Sequence, residues 1–351
     1  MLYSVLQGFI RLGLHIFCGN ITVSNEAVLN SKGPLLLASN HPNSFLDAII
    51  IGSLFKQPVH YLARGDAFKQ PFVRKILCSL KLMPIYRLSE GREYLALNDN
   101  TFDNCKNILL QGGIILIFSE GLCKQKWQLQ PLKKGTARIA FTAWNEQSIS
   151  NYFRVQPVSI NYHSFTQFGK QVVIHFGEII SKQIVHLNAN EGERIQQFNT
   201  LLNERLNSGM LLANNNENVV QTLIAKHKQI IHSPATAIAD LKHLQANIQP
   251  SNFPKTSHLL LKALLLLPAI VGFVLHAVLY FPIKKLVKQK TNGTVFYDSV
   301  LFGILLIIYP FYYLLVNILV FKSTDIIVLQ IVSALMPLWL WLLSSFKKLI
   351  Y

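Results

Sequence analysis

The stretch SNHPNSFLDA, Ser39–Ala48, is a short polar gap between two apolar runs, PLLLA before it and IIIGSLF after it. The first run has the length and composition of a buried strand, and the second continues with the spacing of a helix. Asn43 or Ser44 is predicted to cap that helix. Asp47 then falls in the first helical turn, where its side chain leans back toward the loop that holds His41.

A carboxylate beside an imidazole fixes the tautomer of the ring and stabilises its protonated form, as a general base requires. No nucleophilic Ser or Cys in a GxSxG-like context accompanies the pair. The sequence therefore predicts that His41, oriented by Asp47, activates a hydroxyl of the substrate itself. The alternative is structural: Asp47 complements the helix dipole and His41 is an ordinary loop residue.

The composition indicates a membrane-attached protein. The 351 residues are 51% hydrophobic and only 14% charged, with a mean hydropathy of +0.32. Lys and Arg outnumber Asp and Glu by 33 to 17, a balance that suits nucleic acid, anionic lipid or acidic substrates. Long apolar runs without a nucleic-acid-binding motif favour the lipid bilayer as partner and predict no nucleic acid.

The hydrophobic pattern divides the chain into four regions. Residues 1–28 are predicted to form an N-terminal interfacial helix, with an ordinary core helix as the alternative. Residues 29–180 alternate short apolar strands with helical stretches, which predicts an α/β core. Residues 181–257 are polar and are predicted to form amphipathic helices that flank the sheet. Residues 258–351 form a hydrophobic membrane region.

Three apolar segments of this last region, at 259–281, 299–321 and 326–346, are each long enough to cross about 30 Å of hydrocarbon. The four lysines at 284, 285, 288 and 290 are expected on the cytoplasmic side. This charge rule favours a first segment that enters and returns, bending near Pro268 and Gly272, and two true crossings after it. Three crossings remain the alternative.

The four cysteines are far apart and form no CxxC pair, which argues against a zinc site or a disulfide framework. No ligand cluster such as HExxH occurs, so neither a metal nor a bound cofactor is predicted.

Four motifs in order give the chain a family resemblance: NHPNSFLD, LKLMPIYR, FSEG with a later Lys-Gly, and VQPVSI. Across about residues 34 to 180 the chain resembles the glycerol-phosphate and lysophospholipid acyltransferase superfamily, which includes bacterial 1-acylglycerol-3-phosphate acyltransferase. Five residues separate His41 from Asp47 where four are common, which looks like the branch near glycerol-phosphate and dihydroxyacetone-phosphate acyltransferases. The usual glycine of the second motif is replaced near Lys81 or Leu82, and Ser119 replaces a proline of the third.

The resemblance implies a mixed sheet flanked by helices and a role for each matching residue. His41 is the implied base and Asp47 its orienting partner. Arg87 is implied to bind the acceptor phosphate, a task that suits the fork of a guanidinium. The remaining implied substrate-binding residues are Asn40, Glu120, Gly121, Lys134 and Pro157, the last on the acyl-donor side. Taken alone, VQPVSI predicts only an edge strand with a proline.

The implied activity is transfer of a fatty acyl group from acyl-CoA or acyl carrier protein to a hydroxyl of lysophosphatidate. Glycerol 3-phosphate, or a lyso-lipid with an amino-acid headgroup, is an alternative acceptor. A non-catalytic membrane lipid-binding protein is an alternative of another class. The expected location is a membrane, in the first place the bacterial inner membrane, with the active site facing the cytoplasm.

Overall fold

A computed structural model describes residues 2–87, 91–94, 96–184, 190–212, 217–227, 233–247 and 259–350. Its centre is a sheet of seven strands: β1 (Cys18–Ser24), β2 (Leu35–Ser39), β3 (Val59–Arg64), β4 (Leu82–Ile85), β5 (Ile114–Phe118), β6 (Arg154–Tyr162) and β7 (Lys170–Phe176). Their order in the sheet is β1-β7-β6-β2-β5-β3-β4.

The sheet is mixed, as predicted. Neighbouring strands are parallel except β6 and β7, which are antiparallel. The prediction of an edge position for β6 was wrong, because β6 lies between β2 and β7. Pro157 has no backbone N–H to donate, but the pairing of β6 with β7 begins only at Val158. The proline therefore removes no hydrogen bond from that pairing.

Helices cover both faces of the sheet. They are α1 (Leu2–Phe17), α2 (Phe45–Leu54), α3 (Pro71–Ser79), α4 (Leu97–Leu110), α5 (Gly135–Asn145), α6 (Glu191–Ser208), α7 (Glu217–Ala225) and α8 (Ala237–Asn247). Leu35 and Leu37 of β2 pack with α2, α7 and α8 on one face. Leu36 and Ala38 pack with α4, α5 and α6 on the other. A strand buried on both faces explains the continuous apolar run PLLLA.

The N-terminal region differs from the expectation of a helix alone. The helix α1 ends at Phe17, and the next seven residues form strand β1 at the sheet edge. The sequence CGNITVS has few large apolar residues, so its strand character comes from pairing with β7 rather than from a strong local pattern. Leu14 and Phe17 are buried, whereas Leu12 is exposed, so α1 has one face on the core and one free face.

The C-terminal region consists of helices α9 (Leu259–Lys290), α10 (Tyr297–Ser323), α11 (Ile327–Ala334) and α12 (Met336–Ile350). By length and composition, two described helices, α9 and α10, can cross a membrane. A third span is present if α11 and α12, which are bent by 61° at their junction, count as one. Many of their large apolar side chains are exposed, among them Leu260, Leu264, Ile307, Phe311 and Ile327. Such faces are typical of contact with lipid.

The predicted bend in the first apolar segment was wrong. Helix α9 continues without a break through Pro268 and Gly272. Prolines are tolerated within apolar helices when neighbouring helices support the freed backbone groups. Gly272 allows such a neighbour to approach, because a Cβ there would lie 2.4 Å from the carbonyl oxygen of Trp339. The bent element is instead the α11–α12 pair.

Candidate active site

The loop between β2 and α2 brings His41 and Asp47 together. Nδ1 of His41 lies 2.9 Å from Oδ2 of Asp47. The Asp47 side chain is fully buried, and that of His41 is 16% exposed. The distance fits an Nδ1–H that donates to the carboxylate, which leaves Nε2 as the basic nitrogen.

The ring of His41 also stacks on Phe118, with centroids 3.8 Å apart and an angle of 13° between the planes. Phe118 ends β5, the strand beside β2. The stacking and the Asp47 contact together fix the orientation of the imidazole. Within the described ranges, no protein group bonds Nε2 of His41, so this atom remains for a substrate hydroxyl.

Two further donors satisfy the Asp47 carboxylate. The backbone N–H of Asn43 donates to Oδ2 over 2.8 Å, and the hydroxyl of Tyr162 donates to Oδ1 over 2.7 Å. Burial, followed by the charge of Asp47, raises the pKa of Tyr162 well above its usual range, so the hydroxyl stays a donor. Tyr162 was missed from the sequence because it looks like the last apolar residue of a buried strand.

The start of α2 is held differently from the expectation. Ser44 occupies the N-cap position, but its side chain makes no capping bond, and the Asn43 amide points to Asp298 instead. The N–H of Leu46 donates to the hydroxyl of Ser299 over 3.0 Å. The predicted position of the N-cap at Ser44 is therefore confirmed, but the predicted side-chain cap was wrong, because Ser299 supplies the acceptor.

Ser44 has φ 55° and ψ −140°, a conformation that L-residues rarely adopt. Its backbone N–H donates to Sγ of Cys123 over 3.1 Å. Burial, and next the charge of Asp47, raises the pKa of the Cys123 thiol to about 12. This cysteine therefore stays protonated beside the histidine loop and is not a thiolate nucleophile at neutral pH.

Glu120 holds the loop that carries His41 through hydrogen bonds. It is 3% exposed, and its two carboxylate oxygens accept the backbone N–H groups of His41 (3.1 Å) and Gln130 (3.0 Å). Burial raises the pKa of Glu120 from 4.5 to about 7, although both backbone bonds act in the opposite direction. With both oxygens occupied, the geometry favours a role in holding the loop over direct contact with an acceptor.

The next residues of this turn have different exposures. Gly121 has φ 69°, and a Cβ there would lie 2.8 Å from the Lys133 side chain, so a glycine is required. Lys134 is exposed at the start of α5. Its ammonium group remains a candidate for an acceptor phosphate.

Asn40 and Pro157 belong to the framework of the site. The side-chain amide of Asn40 bonds both the carbonyl (3.1 Å) and the N–H (2.9 Å) of Ile160. Pro157 is buried in β6 opposite Ala38 of β2. Both residues fix the position of the histidine loop relative to β6, and their predicted contact with substrate remains a prediction.

Arg87 follows β4 and is partly exposed. Its positive charge acts to lower the pKa of the Cys123 thiol, but this is a minor influence beside burial, which raises it. Lys81, before β4, has φ 67°. This lysine adopts the left-handed conformation that glycine favours, and it is one of the two positions, Lys81 and Leu82, near which the resemblance implied a glycine.

A buried carboxylate that orients a partly exposed imidazole is the arrangement that a general base for a hydroxyl group requires. Residues 20–161 match the family model Acyltransferase. This match confirms the predicted resemblance to the acyltransferase superfamily for this segment of the chain, and it supports an O-acyltransferase enzyme. No curated protein matches the chain.

One similar solved structure is the crystal structure of the 1-acyl-sn-glycerophosphate (LPA) acyltransferase PlsC from Thermotoga maritima. The two chains are 15% identical, with a TM-score of 0.39, and the match covers 57% of this chain and 78% of that chain.

Proposed function

We propose that the protein transfers a fatty acyl group from acyl-CoA or acyl carrier protein to a hydroxyl of lysophosphatidate. The observation that carries this proposal is the contact between His41 Nδ1 and the buried Asp47, with Nε2 left for substrate. In this role His41 acts as the base and Asp47 holds it.

The proposed reaction is direct transfer. Nε2 of His41 takes the hydroxyl proton as the oxygen attacks the thioester carbonyl, and a C–O bond forms. The C–S bond then breaks, and the leaving thiolate takes the proton from the imidazolium, which restores the base. The raised pKa of Cys123, the nearest thiol to this loop, argues against an acyl-cysteine intermediate.

Acceptor binding is proposed for the cations that follow the second and third motifs. Arg87 offers a bidentate guanidinium for a phosphate, and the exposed Lys134 offers a second positive charge. Glu120 and Gly121 shape the turn between them and the histidine loop. Asn40 and Pro157 are proposed to shape the site from within the sheet.

We propose that the catalytic core faces the cytoplasm, where both thioester donors are available, and that the membrane is the bacterial inner membrane. The lysines at 284, 285, 288 and 290 fit this orientation, because cytoplasmic loops carry an excess of positive charge. Exposed apolar faces on α9 and α10 support contact with lipid.

The test is acyl transfer by the purified protein in detergent–lipid micelles with each thioester donor. Lysophosphatidate, glycerol 3-phosphate and an amino-acid lyso-lipid are offered in parallel, and the products are identified by mass. We expect a diacyl product from lysophosphatidate and none with His41→Ala. Preferred acylation of another acceptor replaces the proposed substrate, and lipid binding without transfer by the wild-type protein contradicts the proposed enzyme.

A further inference from the structure

The first turn of helix α10 contacts the active-site loop. Asp298, in its first turn, is fully buried. Oδ2 of Asp298 accepts a hydrogen bond from the Asn43 side-chain amide over 2.8 Å. The same oxygen is bonded by the ammonium group of Lys170, the fully buried first residue of β7.

Asn43 is the residue through which this contact reaches the catalytic pair. Its backbone N–H donates to Oδ2 of Asp47, the oxygen that also bonds His41. Its carbonyl accepts the hydroxyl of Ser299 over 3.3 Å. The side chain and the backbone of Asn43 are therefore both fixed by the start of α10.

A buried ion pair such as Lys170–Asp298 contributes little net free energy to folding. Two buried charges lose their hydration, and well-packed apolar residues of similar size often serve stability equally well. Oδ1 of Asp298 is buried and has no hydrogen-bond partner among the described residues, which adds to the cost. Lys170 and Asp298 both lie outside the segment 20–161 that matches the family.

We infer that Asp298, neutralised by Lys170, is a positioning residue that holds Asn43 so that its backbone N–H supports the Asp47–His41 pair. This inference rests on the proposed function, because it assigns a role in the same acyl transfer. The membrane helix is then a structural part of the catalytic loop in addition to an anchor. The feature required for this role is the acceptor oxygen at position 298. Lys170 neutralises the buried carboxylate that carries this oxygen.

Two double variants separate the acceptor from the charge. Lys170→Met with Asp298→Asn removes the ion pair but keeps an oxygen that can accept from Asn43. Lys170→Met with Asp298→Leu removes the ion pair and the acceptor while keeping the side-chain size. We expect the first protein to keep kcat within about threefold of wild type and the second to lose at least about 10-fold, as loss of one buried hydrogen bond predicts. The KM values for donor and acceptor should stay within about twofold in both, because substrate contacts are unchanged.

The two proteins are compared at equal folded fraction, measured by thermal unfolding in micelles. Equal kcat in both double variants overturns the inference, whether both are active or both are impaired. If the leucine protein does not fold, Asn43→Ala replaces it, since it deletes the same donor. Asn43→Ala should lower kcat by a similar factor, and an unchanged kcat overturns the inference.

Failure of the proposed function has a different signature. In that case the wild-type protein makes no acylated product, whereas the inference fails only if wild type is active and the variants do not separate. Asp325→Asn is the matched control, because Asp325 is exposed just beyond the far end of α10 and should leave kcat unchanged.

Discussion

The hydroxyl of Tyr162 bonds the carboxylate oxygen of Asp47 that His41 does not contact, over 2.7 Å. Tyr162→Phe leaves that oxygen buried without a donor, and an unsatisfied buried acceptor costs about 1–3 kcal/mol of free energy. We expect kcat to fall by roughly 5- to 150-fold with little change in either KM. Tyr152→Phe is the matched control, because Tyr152 is 56% exposed. A normal kcat for Tyr162→Phe would remove the tyrosine from the catalytic array.

The base itself gives the largest expected effect. Because a neutral hydroxyl is a poor nucleophile, His41→Ala should lower kcat by at least about 100-fold while the protein stays folded. Asp47→Asn should also be strongly impaired, since it replaces the charged partner of Nδ1. Initial rates and thermal unfolding are measured on the same preparations. Acyl transfer near the wild-type rate by His41→Ala would rule out the proposed mechanism.

Glu120 predicts a particular dependence of stability on pH. Its folded pKa, about 7, lies above the ordinary 4.5, so the folded state binds the proton more tightly. The stabilising contribution is complete below pH 4.5 and is lost as the pH rises through 7, by roughly 3 kcal/mol in all. Glu120→Gln cannot ionise, so it shares the neutral charge of the protonated carboxyl, and its NH2 group gives up one of the two backbone bonds at every pH. The stability of this variant relative to wild type should therefore increase between pH 5 and pH 8.

The measurement is chemical or thermal unfolding in micelles at several pH values. Glu204→Gln is the control, because Glu204 is exposed on α6. A constant stability difference between Glu120→Gln and wild type across this range would show that Glu120 does not titrate there. If Glu120→Gln changes kcat more than the acceptor KM, the carboxylate acts on the histidine loop rather than on the acceptor.

Arg87 is tested through its geometry. Arg87→Lys keeps the charge but loses the fork, so we expect a higher acceptor KM with nearly unchanged donor KM and kcat. Loss of one of two charge-assisted hydrogen bonds predicts an increase of roughly 10-fold. Arg74→Lys, at an exposed position on α3, should behave as wild type. Unaltered acceptor kinetics in Arg87→Ala would exclude Arg87 from phosphate binding.

The local parts of this site are readable from the sequence and the distant parts are not. His41 and Asp47 are six residues apart, and a strand, a turn and a helix start bring them together by local geometry. Tyr162 and Asp298 reach the loop from 115 and 255 residues away along the chain. Their contacts depend on sheet order and on the docking of α10, which no short pattern encodes. The sequence did contain one indication of a role for Asp298. It is an acidic residue at the start of a long apolar segment, where charged residues are rare and often functional.

The same limit explains the errors in the fold. The apolar runs of β2 and β5 predict buried strands, and the structure agrees. Each strand lies between two other strands and is covered by helices. Strand β1 lacks such a run and is specified by its partner β7. The lysines at 284, 285, 288 and 290 led to the prediction of a bend near Pro268. Helix α9 is instead continuous, and it packs against α12 at Gly272.

The topology of the last helices is the final prediction. Asp298, at the start of α10, contacts the catalytic loop. From Asp298 to Ser323 at the end of the same helix, the chain rises about 38 Å. The chain then returns through α11 and α12, because the Lys347 ammonium group lies 4.8 Å from the centre of the Phe168 ring on the core. Helix α10 and the α11–α12 pair therefore form a hairpin with both ends on the side of the active site.

If the active site faces the cytoplasm, the tip of this hairpin lies on the outer side of the membrane. Single cysteines at Gln289 and Ser323, in an active background without the four native cysteines, are treated in intact cells with an impermeant thiol reagent. We expect Ser323→Cys to react from outside and Gln289→Cys to react only after the cells are permeabilised, which also keeps the lysine-rich end of α9 inside. Reaction at position 289 and protection at position 323 would invert the orientation, and with it the side of the membrane from which the thioester donor reaches His41.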